Sequence, residues 1–218
     1  MTLQNRVGET PYPAPDNSQG IAALYPALFV STLCEEIAMS RNILVVNGHP
    51  DPRPERFCAA LCDAYEAGAR RRGCATRRLD VGALHLSELV GARNTDAGPL
   101  TRLEQAFRLL RAADRLAIVY PLRSDGPPDE LRQLFDYVSR LRARLEPAAL
   151  GSAKSARIVV TTTMPAFLYR GRAEPVTRHA LCGVAAGEPL FIGSVDTITC
   201  TRRARWLEEL RRYGETMN

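Results

Sequence analysis

A short apolar run, Ile43-Leu-Val-Val46, gives way at Asn47 to Gly48, His49 and Pro50, and a helical pattern opens at Pro54. Four apolar residues in a row suit a strand buried on both faces and are too few for a helix. Gly and Pro end that strand, and the periodic segment behind them starts a helix. This junction restricts the chain to the α/β class. It also leaves a helix N-terminus, with unpaired N–H groups and a partial positive charge, beside a strand end. Anions such as phosphate bind well in that setting. Every βαβ protein contains such a junction, so its meaning depends on which later segments converge on it.

The rest of the chain alternates strand and helix. The first helix is expected from about Pro54 to Arg72, with Phe57, Leu61 and Tyr65 at helical spacing and Gly73 as its stop. Strands are expected at Ala75–Val81, Leu116–Tyr120, Ile158–Thr163 and Pro189–Val195. Helices are expected near Pro99–Ala113, from Pro128 to about Leu145, and over Thr201–Gly214. Strands separated by helices imply a doubly wound parallel sheet of five strands with helices on both faces. In the order 2-1-3-4-5, three loops would meet at the switch point, where such sheets bind ligands: Gly48–Phe57, Pro121–Pro128 and Thr161–Tyr169.

Charge and cysteine usage narrow the partners. The net charge of +5 and a pI near 9.1 invite a nucleic-acid reading. However, Lys154 is the only lysine, and the arginines are interleaved with acids, as in Arg205, Glu208, Glu209 and Arg212. Helical pairing explains that spacing as a solvated face, and no aromatic-interleaved basic stripe accompanies it. No nucleic-acid partner is expected. The six cysteines form no Cys-x-x-Cys pair, and no His stands at metal-ligand spacing, so no metal site is expected. Cys58 and Cys62 share a helix face as small apolar side chains. This usage fits a reducing cytoplasm. No apolar run reaches the roughly 18 residues of a membrane span.

Residues 1–40 read as a poorly structured extension ahead of one domain over 41–218. Met1 to Gly20 is rich in Pro, Gly, Asn and Gln. The apolar stretch Ile21–Leu33 follows a single Arg6 and precedes Glu35-Glu36 without a small-residue cleavage site, a poor match to a signal peptide. Met39-Ser40 just before the first strand suggests translation from Met39.

The chain has no G-x-G-x-x-G after the first strand and no G-x-x-x-x-G-K-[ST], which argues against a Rossmann dinucleotide site and a P-loop. No nucleophile elbow is present either. What remains is a helix N-terminus, a Pro-rich bend and a Thr-rich strand end, a combination suited to a phosphate and a ring.

Three segments carry a family likeness. They are Asn47-Gly-His-Pro-Asp-Pro-Arg-Pro-Glu-Arg-Phe57, then Val119-Tyr-Pro-Leu122 with Pro128 six residues on, then Thr161-Thr-Thr-Met-Pro-Ala-Phe-Leu-Tyr169. Arg178–Gly183, Ile192-Gly-Ser194 and Arg203–Leu207 extend the likeness towards the C-terminus. On these, the span from about Arg41 to Gly214 resembles the NAD(P)H:quinone oxidoreductases of flavodoxin-like fold. The resemblance implies FMN or FAD as cofactor, NAD(P)H as electron donor, a quinone-like acceptor and a homodimer. It implies cofactor contacts from His49, Arg53, Arg56, Phe57, Pro121, Leu122, Arg123, Ser124, Thr161, Thr162 and Thr163, and a catalytic Tyr169.

The chain also departs from that family. Arg123-Ser124-Asp125-Gly126-Pro127 stands where the family usually has Trp or another large residue followed by small ones. Arg53 replaces a frequent Ser, and Arg56-Phe57-Cys58 replaces a Ser-Phe-Asn of related reductases. The segment Ser139–Pro147 is short, and Arg170–Pro175 lacks the family's aromatic residues. Each site residue therefore has a plainer reading beside the functional one. His49 either donates to a flavin phosphate or ribityl oxygen, or caps its turn. Arg53 and Arg56 either clamp a phosphate or are solvated. Thr161–Thr163 either offer backbone N–H groups to the ring edge or end a β-branched strand. Tyr169 is either a hydroxyl donor or a packing residue. Arg123 is a candidate positive group at the flavin N1–C2 edge. Asp80, His85 and His179 are expected to be structural. The alternative function is a non-enzymatic binding or regulatory subunit with an eroded flavin pocket, such as the similar ancillary subunits of some potassium efflux systems.

Overall fold

The computed structural model describes residues 42–86, 97–122, 126–144, 155–169, 184 and 186–216. By its contacts the chain separates into Met1–Ala38 and Met39–Asn218, and every described residue belongs to the second unit.

The apolar run is strand β1, Asn42–Asn47, buried from Ile43 onward. Its side chains alternate between two cores. Leu44 and Val46 enter one, and Ile43 and Val45 enter the other. This is why the segment reads as continuously apolar rather than alternating. β1 pairs in parallel with β2, Ala75–Asp80, and with β3, Arg115–Pro121. β4, Ser155–Thr161, and β5, Leu190–Ile192, complete a five-stranded sheet in the order β2-β1-β3-β4-β5. All four pairings are parallel. The doubly wound architecture and the strand order expected from the sequence are both present.

Among the described residues, four helices stand between or beyond the strands: α1, Phe57–Arg71; α2, Ala97–Ala112; α3, Asp129–Arg144; and α4, Cys200–Thr216. The first core holds Leu103 and Ala106 of α2 and Leu131, Leu134 and Phe135 of α3. The second holds Leu61, Cys62, Tyr65 and Ala69 of α1 with Leu210 of α4. Helix α1 stops as the sequence suggested. Gly73 takes φ 81°, its N–H bonds the Arg70 carbonyl at 2.9 Å, and the Cys74 N–H bonds the Ala69 carbonyl at 3.1 Å. That is a Schellman cap, which only glycine enters without strain.

β4 begins at Ser155 rather than Ile158, and three further boundaries differ from the sequence expectation at the strand ends where the loops converge. Helix α1 begins at Phe57 rather than Pro54, because residues 51–56 wind around the Asp51 side chain. β4 ends at Thr161, because the Thr162 N–H and carbonyl are taken by Ile192 (2.9 Å) and Val195 (3.1 Å). β5 ends at Ile192, because Gly193 lies so close to the next loop that a Cβ there would sit 2.3 Å from the Ala166 nitrogen. Ser194 then turns with φ 57°.

Candidate functional site

The C-terminal ends of β1, β3 and β4 are held in a fixed stagger. Asn47 pairs with Val119, and Pro121 pairs with Thr161. The Gly48 N–H bonds the Val119 carbonyl at 2.8 Å, and the Leu122 N–H bonds the Thr161 carbonyl at 2.7 Å. The three loops named from the sequence therefore leave neighbouring strands at one end of the sheet, the position where open α/β sheets bind ligands.

The β1 loop is built from its own side chains. Asn47 is fully buried. Its amide donates to Asp80 at 2.8 Å and its oxygen accepts the His49 N–H at 3.2 Å. Asp80 is thus a support for the loop. His49 Nδ1 lies 2.9 Å from both the backbone nitrogen and the carbonyl oxygen of Asp51, so either ring tautomer makes a hydrogen bond within the turn. His49 thus makes a turn contact through its ring. From the far side, Gly82 seats the loop. A Cβ there would lie 2.2 Å from the Pro50 carbonyl oxygen.

Arg53 and Arg56 converge on the Asp51 carboxylate. Arg53 Nε reaches both carboxylate oxygens at 3.0 Å, and its Nη2 reaches Oδ2 at 2.6 Å. Arg56 adds Nε to Oδ2 at 2.7 Å and a further contact through Nη2. The Arg53 N–H donates to Oδ1 at 3.1 Å, closing an Asx turn. The Arg53 hydrogen bond, opposed by desolvation and reinforced by Arg56, holds the Asp51 carboxyl well below the usual carboxylate range. Asp51 is therefore ionised at every physiological pH. The sequence reading overlooked it, although an acid followed by arginines two and five residues on was a visible signal.

Helix α1 opens immediately after Arg56. It has no side-chain cap and no acidic residue in its first turn, so its N-terminal partial charge is not offset locally. The Phe57 ring lies under the Arg203 guanidinium, 4.9 Å from centroid to Cζ. Phe57 therefore packs towards α4, and what it brings to the loop is its backbone. Cys58, one residue on, contacts Thr161 Oγ1 at 3.4 Å. Burial pushes its thiol up to about 11, against the pull of that contact, so it is a neutral packing group.

On β4 the three threonines divide. Thr161 and Thr162 are buried and structurally engaged: Thr161 with Cys58, and Thr162 through its hydroxyl with the Met164 N–H at 3.3 Å. Thr163 is exposed and its N–H has no partner among the described residues. Beyond it, the Met164 carbonyl accepts the Ser194 N–H at 3.1 Å, and a short 3-10 turn covers Ala166–Leu168. This pinned loop carries the exposed large hydrophobics Met164 (49% exposed), Phe167 (69%) and Leu168 (46%). Tyr169 ends the turn with its ring stacked on Phe191, centroids 6.4 Å apart and planes 9° apart. Sequence reasoning missed the Gly82 and Gly193 seats and the Phe191 partner, because each is a contact between segments far apart in the chain.

From β3, Pro121 and Leu122 are half-buried, and Leu122 packs on the first core. Arg123 and Ser124 lie outside the described residues. A separate hollow of about 470 Å³ runs along the start of α4, lined by Thr199, Thr201, Arg202, Arg205, Trp206 and Glu209. None of the loop residues lines it.

A family model described as flavodoxin-like fold matches residues 41–213. The chain belongs to the flavodoxin-like fold family. Solved structures resemble the chain in fold at low identity. An NAD(P)H:quinone oxidoreductase from Methanothermobacter marburgensis is 16% identical with a TM-score of 0.60, over 82% of this chain and 96% of that one. An azoreductase from Bacillus anthracis str. Sterne is 15% identical with a TM-score of 0.54, over 81% and 99%. An NADPH-quinone reductase from P. pentosaceus is 18% identical with a TM-score of 0.53, over 80% and 97%. At such identity the likeness is one of fold. No curated protein matches the sequence. Among the described residues, no helix is long and apolar enough to cross a membrane.

The residues at the strand ends of this flavodoxin-like chain fit a flavin. An uncapped helix N-terminus beside two guanidiniums suits a phosphate. The Thr163 N–H and the apolar Met164–Leu168 loop suit the polar edge and the face of a ring. Within the loop itself, Asp51 engages both arginines.

Proposed function

We propose that this chain is a flavin-dependent oxidoreductase that uses NAD(P)H to reduce a quinone-like acceptor and works as a homodimer in the cytoplasm. The observation that carries the reading is the convergence of an uncapped α1 N-terminus with Arg53 and Arg56 on the same sheet end as the Thr161–Tyr169 loop. The solved structures of the same fold named as quinone oxidoreductase, quinone reductase and azoreductase support it. When bound, FMN or FAD would supply hydride acceptance and electron delivery at the ring N5.

The chain's own residues do the holding. The first N–H groups of α1, with Arg53 and Arg56, take the phosphate. The Thr163 N–H addresses the ring's polar edge. Met164, Phe167 and Leu168 give an apolar face that excludes water from the acceptor. Tyr169, its ring fixed on Phe191, presents a hydroxyl to the acceptor oxygen. Purified protein with visible flavin absorbance and steady-state NAD(P)H oxidation dependent on a quinone would support the assignment. A colourless protein that oxidises neither NADH nor NADPH after incubation with FMN and FAD would reject it.

One observation favours the second reading, a regulatory or binding subunit: Asp51 engages both arginines, and Thr161 and Thr162 spend their polar groups inside the fold. Flavin binding without turnover separates that reading from the enzyme.

A further inference from the structure

The two arginines of the β1 loop are already holding an anion, and that anion is part of the chain. Asp51 Oδ2 receives N–H groups from both guanidiniums, and Oδ1 receives the Arg53 side chain and backbone. A planar carboxylate held by two forks presents the arginines as a phosphate would. Glu55 stands between them in sequence and adds a second carboxylate within electrostatic reach of Arg53. Two acids against two arginines leave the loop self-neutralised. The uncapped α1 N-terminus begins one residue later.

We propose that Asp51 is a resident counter-anion, exchanged for a phosphate group when a phosphorylated ligand enters, so that Asp51 sets how much the phosphate contributes to affinity. The identity of that ligand as a flavin rests on the function proposed above. The exchange itself rests only on the loop. A phosphate monoester carries about two negative charges against the single charge of Asp51, and it can accept the first α1 N–H groups as well. It therefore displaces the carboxylate, but part of its binding free energy goes into breaking the Asp51 contacts. Asp51→Asn can keep the Oδ1 that accepts the Arg53 N–H, while it removes the charge and replaces Oδ2, the oxygen both guanidiniums contact, with an amide NH2 that cannot accept from them.

The test compares the unmodified chain with Asp51→Asn and with Glu55→Gln, which changes net charge equally without touching the clamp. FMN and riboflavin are titrated by fluorescence, and the melting temperature is followed against inorganic phosphate. The expected result is FMN binding about tenfold tighter in Asp51→Asn, with riboflavin little changed and a much smaller gain in Glu55→Gln, whose carboxylate acts on Arg53 only through space. Inorganic phosphate should also raise the melting temperature of Asp51→Asn more than that of the unmodified chain. An equal gain from Glu55→Gln, or a gain shared by riboflavin, overturns the exchange and leaves only general electrostatics. So does FMN affinity that is unchanged or weaker in Asp51→Asn. Should Asp51→Asn lose its cooperative melt, Arg53→Gln reads the same clamp in reverse, with FMN weakened and riboflavin unchanged; equal affinities there overturn it. If no flavin binds to any form, the flavin reading fails, and the phosphate-dependent melts still decide the exchange.

Discussion

In the proposed reaction, Tyr169 is the residue on which turnover would depend most. Its ring stacks on Phe191, a contact that Phe at position 169 would keep. Its hydroxyl has no hydrogen-bond partner among the described residues. Tyr169→Phe should therefore leave the melting temperature unchanged while turnover with a quinone falls about a hundredfold, the low end of what a positioned proton donor contributes. Unchanged turnover would make Tyr169 a packing residue. Tyr169, Arg53 and Arg56 came from the likeness of their segments to a family, and such motifs are local information. The sequence did not say what the arginines hold, since the choice between an internal carboxylate and an incoming phosphate is decided by how residues 51–56 wind. His49 shows the same limit: its position before Pro50 was readable, but its Nδ1 contact with the Asp51 backbone belongs to the folded turn.

At the scale of elements, the strands and their order were legible because burial on both faces leaves continuous apolar runs in β1 and β3. Helix α1 was legible at its C-terminus through Gly73 and misplaced at its N-terminus, where Pro54 looked like a first helical residue but lies in the Asp51 turn. The ends of β4 and β5 were misplaced for a related reason: Thr162, Gly193 and Ser194 serve the loop that carries Met164 and Phe167 instead of extending the sheet. The contacts that seat the site loops are long-range, and the Gly82 contact can be tested directly. A methyl group on Gly82 would press on the Pro50 carbonyl, and neither backbone can yield alone. Gly82→Ala should cost roughly 1–3 kcal/mol and should weaken flavin binding beyond what that loss explains, because the β1 loop moves. Chemical denaturation with a parallel flavin titration checks both effects. A variant as stable and as tight as the unmodified chain would show that Gly82 does not set the loop.

Across the whole molecule, the fold converts a weak local pattern into a site. The stagger of β1, β3 and β4 brings together a helix N-terminus with its pair of arginines and a pinned apolar loop, from two distant segments. Each alone is common in α/β proteins, and only their shared sheet end argues for a ligand with both a phosphate and a ring. The most direct measurement is a titration of the purified chain with FMN, FAD and riboflavin, followed by flavin fluorescence. The account predicts that FMN or FAD binds in the micromolar range and riboflavin at least about tenfold more weakly, a difference of about 1.4 kcal/mol assigned to the phosphate site at α1. Riboflavin binding as tightly as FMN, or no flavin binding at tens of micromolar, would contradict it.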